Sequence, residues 1–194
     1  VQPGDCGTFE SGFTPLEGNF VKAKALDDRV GCALLMQLLS QPAEYDYYAT
    51  FTVQEELGCR GAKTAAFTVQ PNIALVLEAT TANDIADTPP EKAVCLAGGG
   101  AVVSFMDRAT LYDRELFELA LATAAEQKIA VQTKNAVAGG NNAGAISLSG
   151  AGVRTLALSL PCRYIHSPSG VASFEDCKAL QALAAALLPK LCSL

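Results

Sequence analysis

The residues best suited to chemistry in this sequence of 194 residues are carboxylates and a single histidine. They fall at four places along the chain, namely Asp27-Asp28, Glu55-Glu56, Glu78 and His166. Carboxylate oxygens and an imidazole nitrogen are ligands that suit zinc, cobalt and manganese, and a further carboxylate can act as a general base for water. The residue types therefore allow a mixed carboxylate and histidine metal site.

The acidic pair Glu55-Glu56 follows a segment whose β-branched and aromatic composition predicts a strand at residues 47–53. Two adjacent carboxylates that leave a strand point in different directions, which suits one for a metal ion and the other for a water molecule. The alternative is an acidic pair in a loop that is simply solvated. The pair alone leaves both interpretations open.

The other acidic positions are equally ambiguous when each is taken alone. Glu78 follows the apolar run 73–77, where a charge must be paired, hydrogen-bonded or metal-bound to offset the cost of its desolvation. An ion pair with a basic residue would satisfy it as well as a metal ion. Asp27 and Asp28 precede a helical pattern and could be no more than an N-cap.

His166 is the only histidine, which excludes a Ser-His-Asp triad, an HExxH zinc motif and a three-histidine zinc site built within this chain. It follows a predicted strand and could also be purely structural. The glycine-containing stretches 98–100 and 139–142 lack a following Lys-Ser or Lys-Thr and lack the GxGxxG spacing of nucleotide-binding loops. A nucleotide-binding module is therefore only a weak alternative.

Strand and helix patterns alternate along the chain around these positions. Apolar strand patterns are predicted at 47–53, 73–77, 101–105, 130–133 and 155–160. Helical spacing predicts helices at 27–39, 61–67, 114–128, 143–149 and 174–191. This order predicts an α/β fold, a three-layer αβα sandwich around a mixed, largely parallel sheet. Because ligands gather at the carboxyl ends of strands in such folds, the candidate residues are expected at one rim of the sheet.

Composition and charge exclude two classes of partner. The net charge is −6 and no segment gathers Lys or Arg, so nucleic acid is not an expected partner. The uncharged apolar stretches are far shorter than the roughly 20 residues that cross a bilayer, so no membrane partner is expected. The seven cysteines have no CxxC spacing, which argues against a disulfide framework or a structural zinc site and indicates a cytoplasmic location.

The first residues differ in character from the rest of the chain. Residues 1–18 are rich in glycine and turn-forming dipeptides, and they predict a loop or the tail of a preceding module. The sequence begins at Val1 with neither a methionine nor a signal-peptide pattern. We therefore expect that a segment was removed ahead of it.

Five motifs occur in one order along the chain: LDDRVGC (26–32), VQEELGCRGA (53–62), VLEATTANDI (76–85), GGNNAGAI (139–146) and PCRYIHSP (161–168). This ordered set resembles the glutamyl and tetrahedral aminopeptidase family, whose members are co-catalytic metallo-aminopeptidases once also described as CelM endoglucanases. The resemblance extends over essentially the whole chain and implies the C-terminal catalytic portion of such an enzyme. The implied activity is the removal of N-terminal residues from peptides by metal-activated water.

The resemblance also implies a role for each candidate residue. Asp27 would bridge two divalent ions (zinc, cobalt or manganese), and the peptide bond that follows it would be cis. Glu56 and His166 would complete one ion site, and Glu78 would be a terminal ligand of the other. Glu55 would be the general base.

Two departures from the family pattern change what this chain is expected to bind. Family members have a further histidine ligand far upstream and a small β-rich domain inserted before the Asp-Asp-Arg segment, and neither occurs here. Residues 1–18 would be a remnant of the inserted domain or a linker, and residues 19–194 a partial catalytic domain. The chain is therefore expected to hold one ion, or none, rather than two. The second departure is Asn142, where the family commonly has Asp.

The family also implies a homo-oligomer, from a dimer up to a dodecamer, that acts on peptide substrates. The alternative is a shortened, non-catalytic relative that serves as an assembly or regulatory subunit. Retention of Glu55 together with all four expected metal ligands weighs against that alternative, because a structural role does not require that set.

Overall fold

The computed structural model describes residues 1–194 and contains seven strands and five α-helices. In chain order they are β1 (Thr14–Leu16), β2 (Phe20–Ala23), α1 (Leu26–Leu39), α2 (Arg60–Val69), β3 (Ile73–Thr81), β4 (Ala101–Val103), α3 (Arg114–Gln127), β5 (Val131–Thr133), α4 (Asn142–Ser147), β6 (Arg154–Cys162), β7 (Gly170–Ser173) and α5 (Phe174–Cys192). Two short 3₁₀ helices lie at Glu17–Asn19 and Pro90–Lys92. No helix combines the length and apolar character that crossing a membrane requires.

A mixed sheet of four strands in the order β3-β6-β4-β5 forms the middle layer. Strands β3 and β6 are parallel with Glu78 opposite Ser159, β4 is antiparallel to β6, and β5 is parallel to β4. The long apolar strand β6 is almost entirely buried, as expected for a strand covered on both faces. A second, antiparallel sheet in the order β1-β2-β7 lies beside it.

Helices cover both faces of the central sheet. Helices α1, α3 and α5 share the main hydrophobic core with the leucines of β6, among them Leu156, Leu158 and Leu160. On the other face α4 packs against β3 and β6, where Val76 and Ala157 meet Ala143. Helix α2 packs on α4. The expected three-layer αβα sandwich with a mixed, largely parallel sheet is therefore confirmed.

The structure corrects the strand expected at residues 47–53. The backbone of residues 47–52 makes no backbone–backbone hydrogen bond, and β3, which lies across a cleft from this segment, pairs only with β6. A strand requires a neighbour to which its amides and carbonyls can bond, so composition alone was not sufficient here. Strand β3 also continues to Thr81, which places Glu78 inside the strand rather than after it.

Three strands, β1, β2 and β7, lie where the strand patterns predict none. Strand β2 pairs with β1 on one side and β7 on the other, in a small sheet next to the start of α1. Both β2 and β7 have only 4 residues, too few for an alternating pattern to be distinctive. Strand β1 lies within residues 1–18, where a loop or the tail of a preceding module is predicted.

Helix α3 begins with a capping residue that also anchors it to the sheet. The Asp113 carboxylate accepts a hydrogen bond from Leu116 N at 3.1 Å. The same carboxylate accepts from Arg154 Nε at 2.7 Å and from Arg154 Nη2 at 3.0 Å. Arg154 is the first residue of β6, so Asp113 joins a helix terminus to the central sheet.

Replacing Asp113 by Ala is expected to lower the free energy of unfolding by about 1 kcal/mol through loss of the cap. The hydrogen bonds from Arg154 hold the Asp113 pKa below its ordinary value of 3.8. The contribution of Asp113 is therefore complete above pH 3.8 and is lost as the pH falls through the lower folded-state pKa. Urea unfolding at pH 7 and below pH 3 measures this, with Asp46→Ala as the exposed control. An equal deficit at both pH values would contradict the assignment.

Candidate metal centre

Three of the expected ligands meet at the surface next to the start of α1. His166 Nε2 lies 3.2 Å from Asp27 Oδ2 and 3.4 Å from Glu56 Oε1. One ligand atom from each of the three residues lies within 4.8 Å of the others. Atoms held at about 2 Å from a tetrahedral zinc ion are about 3.3 Å apart, so this spacing fits a divalent ion without large movement.

Each of these side chains comes from a different part of the chain. Asp27 stands at the beginning of α1, just after β2, and the peptide bond that follows it is cis, as the resemblance implied. Glu56 lies in the turn before α2, and His166 lies between β6 and β7. Left-handed backbone conformations occur at Ala25, Gln54 and His166, with φ of 54°, 60° and 61°. Such conformations cost about 1 kcal/mol or more for residues with a Cβ, so the surrounding structure must hold them.

The turn that contains Glu55 is fixed by its own hydrogen bonds. Glu55 O accepts from Gly58 N at 3.0 Å and from Cys59 N at 2.8 Å. The Cys59 thiol lies 3.7 Å from Glu55 Oε1. Glu55 is half-buried, whereas its neighbour Glu56 is exposed, and the adjacent carboxylates therefore have different surroundings. Glu55 lies outside the group of three ligands.

Gly61 holds this turn close to the preceding backbone. Its amide donates to Val53 O at 3.0 Å. A Cβ at position 61 would lie 2.5 Å from Val53 O and 2.6 Å from Val53 N, both backbone atoms that cannot rotate away. The glycine in the motif VQEELGCRGA is thus required by the close approach of α2 to the segment that carries the two glutamates.

Gly61→Ala is expected to displace the turn, to weaken metal binding through Glu56 by at least about tenfold, and to lower stability by about 1–3 kcal/mol. Calorimetric titration with Zn²⁺ and thermal unfolding measure the two effects. Gly12→Ala is the matched control, because a Cβ there meets no atom within 4 Å. Wild-type zinc affinity in Gly61→Ala would show that the close approach does not position the turn.

Glu78 lies beyond the group of three, in the middle layer of the fold. Its Oε1 accepts from Asn141 Nδ2 at 2.6 Å and from Ser159 Oγ at 3.2 Å. A basic partner is absent from these contacts, so the ion pair considered as an alternative does not form. Sequence analysis included Asn141 only as part of the stretch 139–142 and did not identify Ser159, which lies inside the predicted strand 155–160.

The electrostatics of the centre favour a cation. Burial raises the pKa of Asp27, the Glu56 charge raises it further, and His166 opposes the shift. Burial also raises the pKa of Glu55, with added repulsion from Glu56 and Asp27. The pKa of Glu78 is raised well above its ordinary value by burial, and the charge of Lys134 partly opposes this. Carboxylates that destabilise one another in this way are stabilised by a bound divalent ion.

Asp28 has a different role from Asp27. Its Oδ1 accepts a hydrogen bond from Gly31 N at 2.9 Å, and a Cβ at Gly31 would collide with the same carboxylate. Burial raises the pKa of Asp28 to about 8. The helix-capping interpretation of the acidic pair therefore holds for Asp28, whereas Asp27 faces His166.

The glycine run 98–100 is structural. The amides of Gly98 and Gly100 donate to the two carboxylate oxygens of Asp176, at 2.6 Å and 2.7 Å. Asp176 is 1% exposed and belongs to α5. In the second stretch, Asn141 Oδ1 accepts from Ala143 N at 2.7 Å and caps α4. In the run 98–100, protein acceptors thus occupy the amides that a phosphate cradle would need.

A cleft of about 690 Å³ opens beside the centre. Asp27, Glu55 and Glu78 line it together with Asn142, and apolar side chains line most of the remainder. Asn142 Nδ2 donates to Thr52 Oγ1 at 3.2 Å, whereas its Oδ1 is buried without a partner. The candidate base Glu55 and two of the expected ligands, Asp27 and Glu78, therefore face a space large enough for a small peptide.

A protein-family model described as M42 glutamyl aminopeptidase matches residues 1–183. The chain belongs to the M42 glutamyl aminopeptidase family. The lysyl aminopeptidase of Pyrococcus furiosus is 31% identical over 194 residues, which cover 97% of this chain and 54% of that protein. The chain spans about half the length of the curated relatives that it matches.

Solved structures of M42-type enzymes have the same fold. A TET aminopeptidase from a marine sediment archaeon of the Thaumarchaeota is 34% identical with a TM-score of 0.88, covering 93% of this chain and 52% of that one. The TET1 peptidase of Pyrococcus horikoshii, which can assemble into a tetrahedron or a large octahedral shell, is 29% identical with a TM-score of 0.79. That match covers 92% of this chain and 53% of the TET1 chain.

Proposed function

We propose that this protein is a metal-dependent aminopeptidase that removes N-terminal residues from peptides. The observation that carries the proposal is the meeting of Asp27, Glu56 and His166 within 4.8 Å, in a chain that belongs to the M42 family. Two carboxylates and one imidazole form a donor set that suits zinc, cobalt and manganese alike.

The proposed sites divide the ligands between two ions. Asp27, Glu56 and His166 would hold one ion, and Asp27 with Glu78 would contribute to a second. When bound, such ions lower the pKa of a coordinated water and polarise a peptide carbonyl. Within this chain the first site has three protein donors and the second has two, so the first is expected to bind its ion more tightly.

Glu55 is proposed as the general base. Its carboxylate would accept a proton as the attacking water forms a bond to the carbonyl carbon, and would then pass that proton to the amine nitrogen as the C–N bond breaks. The half-buried position of Glu55, in a turn fixed by the amides of Gly58 and Cys59, supports this role because the carboxylate is held beside the cleft.

Selection of a chain terminus is proposed to depend on charge. The free α-amino group of a peptide is a cation, and the cleft beside it is lined by Asp27, Glu55 and Glu78. A peptide with a blocked N-terminus lacks that attraction. Peptide substrates rather than intact proteins would best match a cleft of about 690 Å³.

The test is hydrolysis of aminoacyl chromogenic substrates by metal-depleted and reconstituted protein. Turnover is expected to vanish on treatment with a chelator, to return with Zn²⁺, Co²⁺ or Mn²⁺, and to be absent for the N-acetylated form of the same substrate. Turnover that survives complete metal removal would refute the proposal, and equal rates on acetylated substrate would refute the aminopeptidase assignment.

We further propose a cytoplasmic homo-oligomer, with a size between a dimer and a dodecamer. A solved TET1 structure contains a dodecamer, and TET1 of Pyrococcus horikoshii can assemble into a tetrahedron or a large octahedral shell. All seven cysteines here are free, which suits a reducing compartment. Light scattering coupled to gel filtration would measure the mass. A strictly monomeric protein at micromolar concentration would contradict the assembly.

A further inference from the structure

A chain of buried polar groups leads from the loop after β4 to Glu78. It consists of Asp107, Tyr112 and Asn141, which are 4%, 3% and 4% exposed. Asp107 and Tyr112 were not candidates from the sequence, Asn141 was considered only as part of the stretch 139–142, and none of the three belongs to the proposed ligands. Buried polar groups of this kind persist only where their hydrogen bonds are made, so their arrangement is informative.

The direction of the hydrogen bonds is fixed by chemistry at both ends. Asp107 Oδ1 accepts from Ala109 N and Thr110 N, each at 2.8 Å. Its Oδ2 accepts from the Tyr112 hydroxyl at 2.5 Å. Since the Tyr112 proton is committed to Asp107, the phenolic oxygen is an acceptor for Asn141 Nδ2, which lies 2.7 Å away.

The second hydrogen of the Asn141 amide is then directed at Glu78. The distance from Asn141 Nδ2 to Glu78 Oε1 is 2.6 Å, and Ser159 Oγ lies 3.2 Å from the same oxygen. Glu78 Oε2 has no hydrogen bond to the protein. One carboxylate oxygen is therefore held by the network, the other makes no hydrogen bond to the protein, and Glu78 is among the residues that line the cleft.

We propose that Asn141 and Tyr112 are positioning residues that fix the Glu78 carboxylate with Oε1 bound and Oε2 presented to a divalent ion. The inference rests on the proposed function, because it takes Glu78 to be a metal ligand. Amide and hydroxyl partners of this kind orient carboxylate ligands in metal sites generally.

A purely structural role accounts for only part of this arrangement. The Tyr112 ring packs with Val76, Ala143 and Ala157, and that packing does not need its hydroxyl. The capping of α4 uses Asn141 Oδ1 and leaves Nδ2 free to donate elsewhere. The groups that reach toward Glu78 are thus separable by mutation from those that hold the fold.

The test measures Co²⁺ binding by the full chain through calorimetry and through the visible d–d absorption of the bound ion. Tyr112→Phe removes only the hydroxyl, and Asn141→Ser keeps a capping oxygen while removing the amide donor. Each is expected to weaken the more weakly held Co²⁺ about tenfold and to change its absorption spectrum. Tyr45→Phe is the matched control, since Tyr45 is exposed and makes no hydrogen bond to the network.

The variant Glu78→Gln distinguishes the claim that Glu78 is a metal ligand from the claim that Tyr112 and Asn141 position it. If Tyr112→Phe weakens Co²⁺ binding in the wild-type background but has no further effect in Glu78→Gln, the positioning role is supported. If Glu78→Gln weakens binding and both network variants leave it unchanged, the positioning role is overturned while the proposed function stands. If Glu78→Gln itself leaves Co²⁺ binding and spectrum unchanged, Glu78 is not a ligand and the inference is overturned with it.

Discussion

Replacing Glu55 by Gln is expected to lower kcat by about 10²–10⁴-fold while the bound metal content stays at the wild-type level. The amide has nearly the shape of the carboxylate but cannot accept a proton at the same position. Because Glu55 lies outside the group formed by Asp27, Glu56 and His166, ion binding should not depend on its charge. Steady-state kinetics on an aminoacyl substrate and metal analysis of the purified variant measure the two quantities.

Glu91→Gln provides the control, since Glu91 is exposed in the 3₁₀ helix Pro90–Lys92. It should leave both kcat and metal content unchanged. A Glu55→Gln variant with kcat within twofold of wild type would remove the general-base assignment. Absence of turnover in metal-reconstituted wild-type protein with an intact fold would instead favour the non-catalytic subunit that the sequence left open.

Asp27→Ala is expected to have the largest effect on metal binding. Asp27 contacts His166 at 3.2 Å and is the one residue proposed to contribute to both ion sites. Loss of a direct ligand should weaken binding by more than the about 10–100-fold typical of residues that only support a ligand. Both ions should therefore be lost at micromolar concentrations, and turnover with them.

The metal-free form of Asp27→Ala should remain folded. Removing one carboxylate from a group of mutually repelling acids relieves repulsion that the metal-free wild type retains. Its thermal unfolding midpoint without metal is therefore expected to equal or exceed that of metal-free wild type. Glu44→Ala, at an exposed glutamate in a loop, is the control for both measurements. Wild-type Zn²⁺ affinity in Asp27→Ala would exclude this residue as a ligand.

The helices were the most predictable part of the fold. All five were expected within two residues of their observed starts, because apolar positions at helical spacing are a local property of the sequence. Strand identity is not local. Residues 47–53 have strand composition but no pairing partner, whereas β2 and β7 have little pattern and pair well. Sheet membership depends on neighbours that are distant along the chain.

The candidate site was predictable only from the combination of motifs. Taken alone, Glu78 was compatible with an ion pair, and the pair Asp27-Asp28 was compatible with a helix cap. The helix-cap interpretation is correct for Asp28. The network around Glu78 could not be predicted in this way. Tyr112 and Asn141 are 29 positions apart, and nothing in their own sequence surroundings indicates that a phenol and an amide will meet.

The parallel register of β3 and β6 makes the position of Glu78 depend on the number of residues in β3. Glu78 is opposite Ser159 and shares a face with Val76, whereas its neighbour Ala79 points into the core formed with α1, α3 and α5. Insertion or deletion of a single residue between Ile73 and Glu78 would exchange the two faces of the strand. The carboxylate would then point into the hydrophobic core, and an aliphatic side chain would point toward Asn141. Natural length variation in this lineage should therefore be confined to the loops, with β3 invariant in residue count.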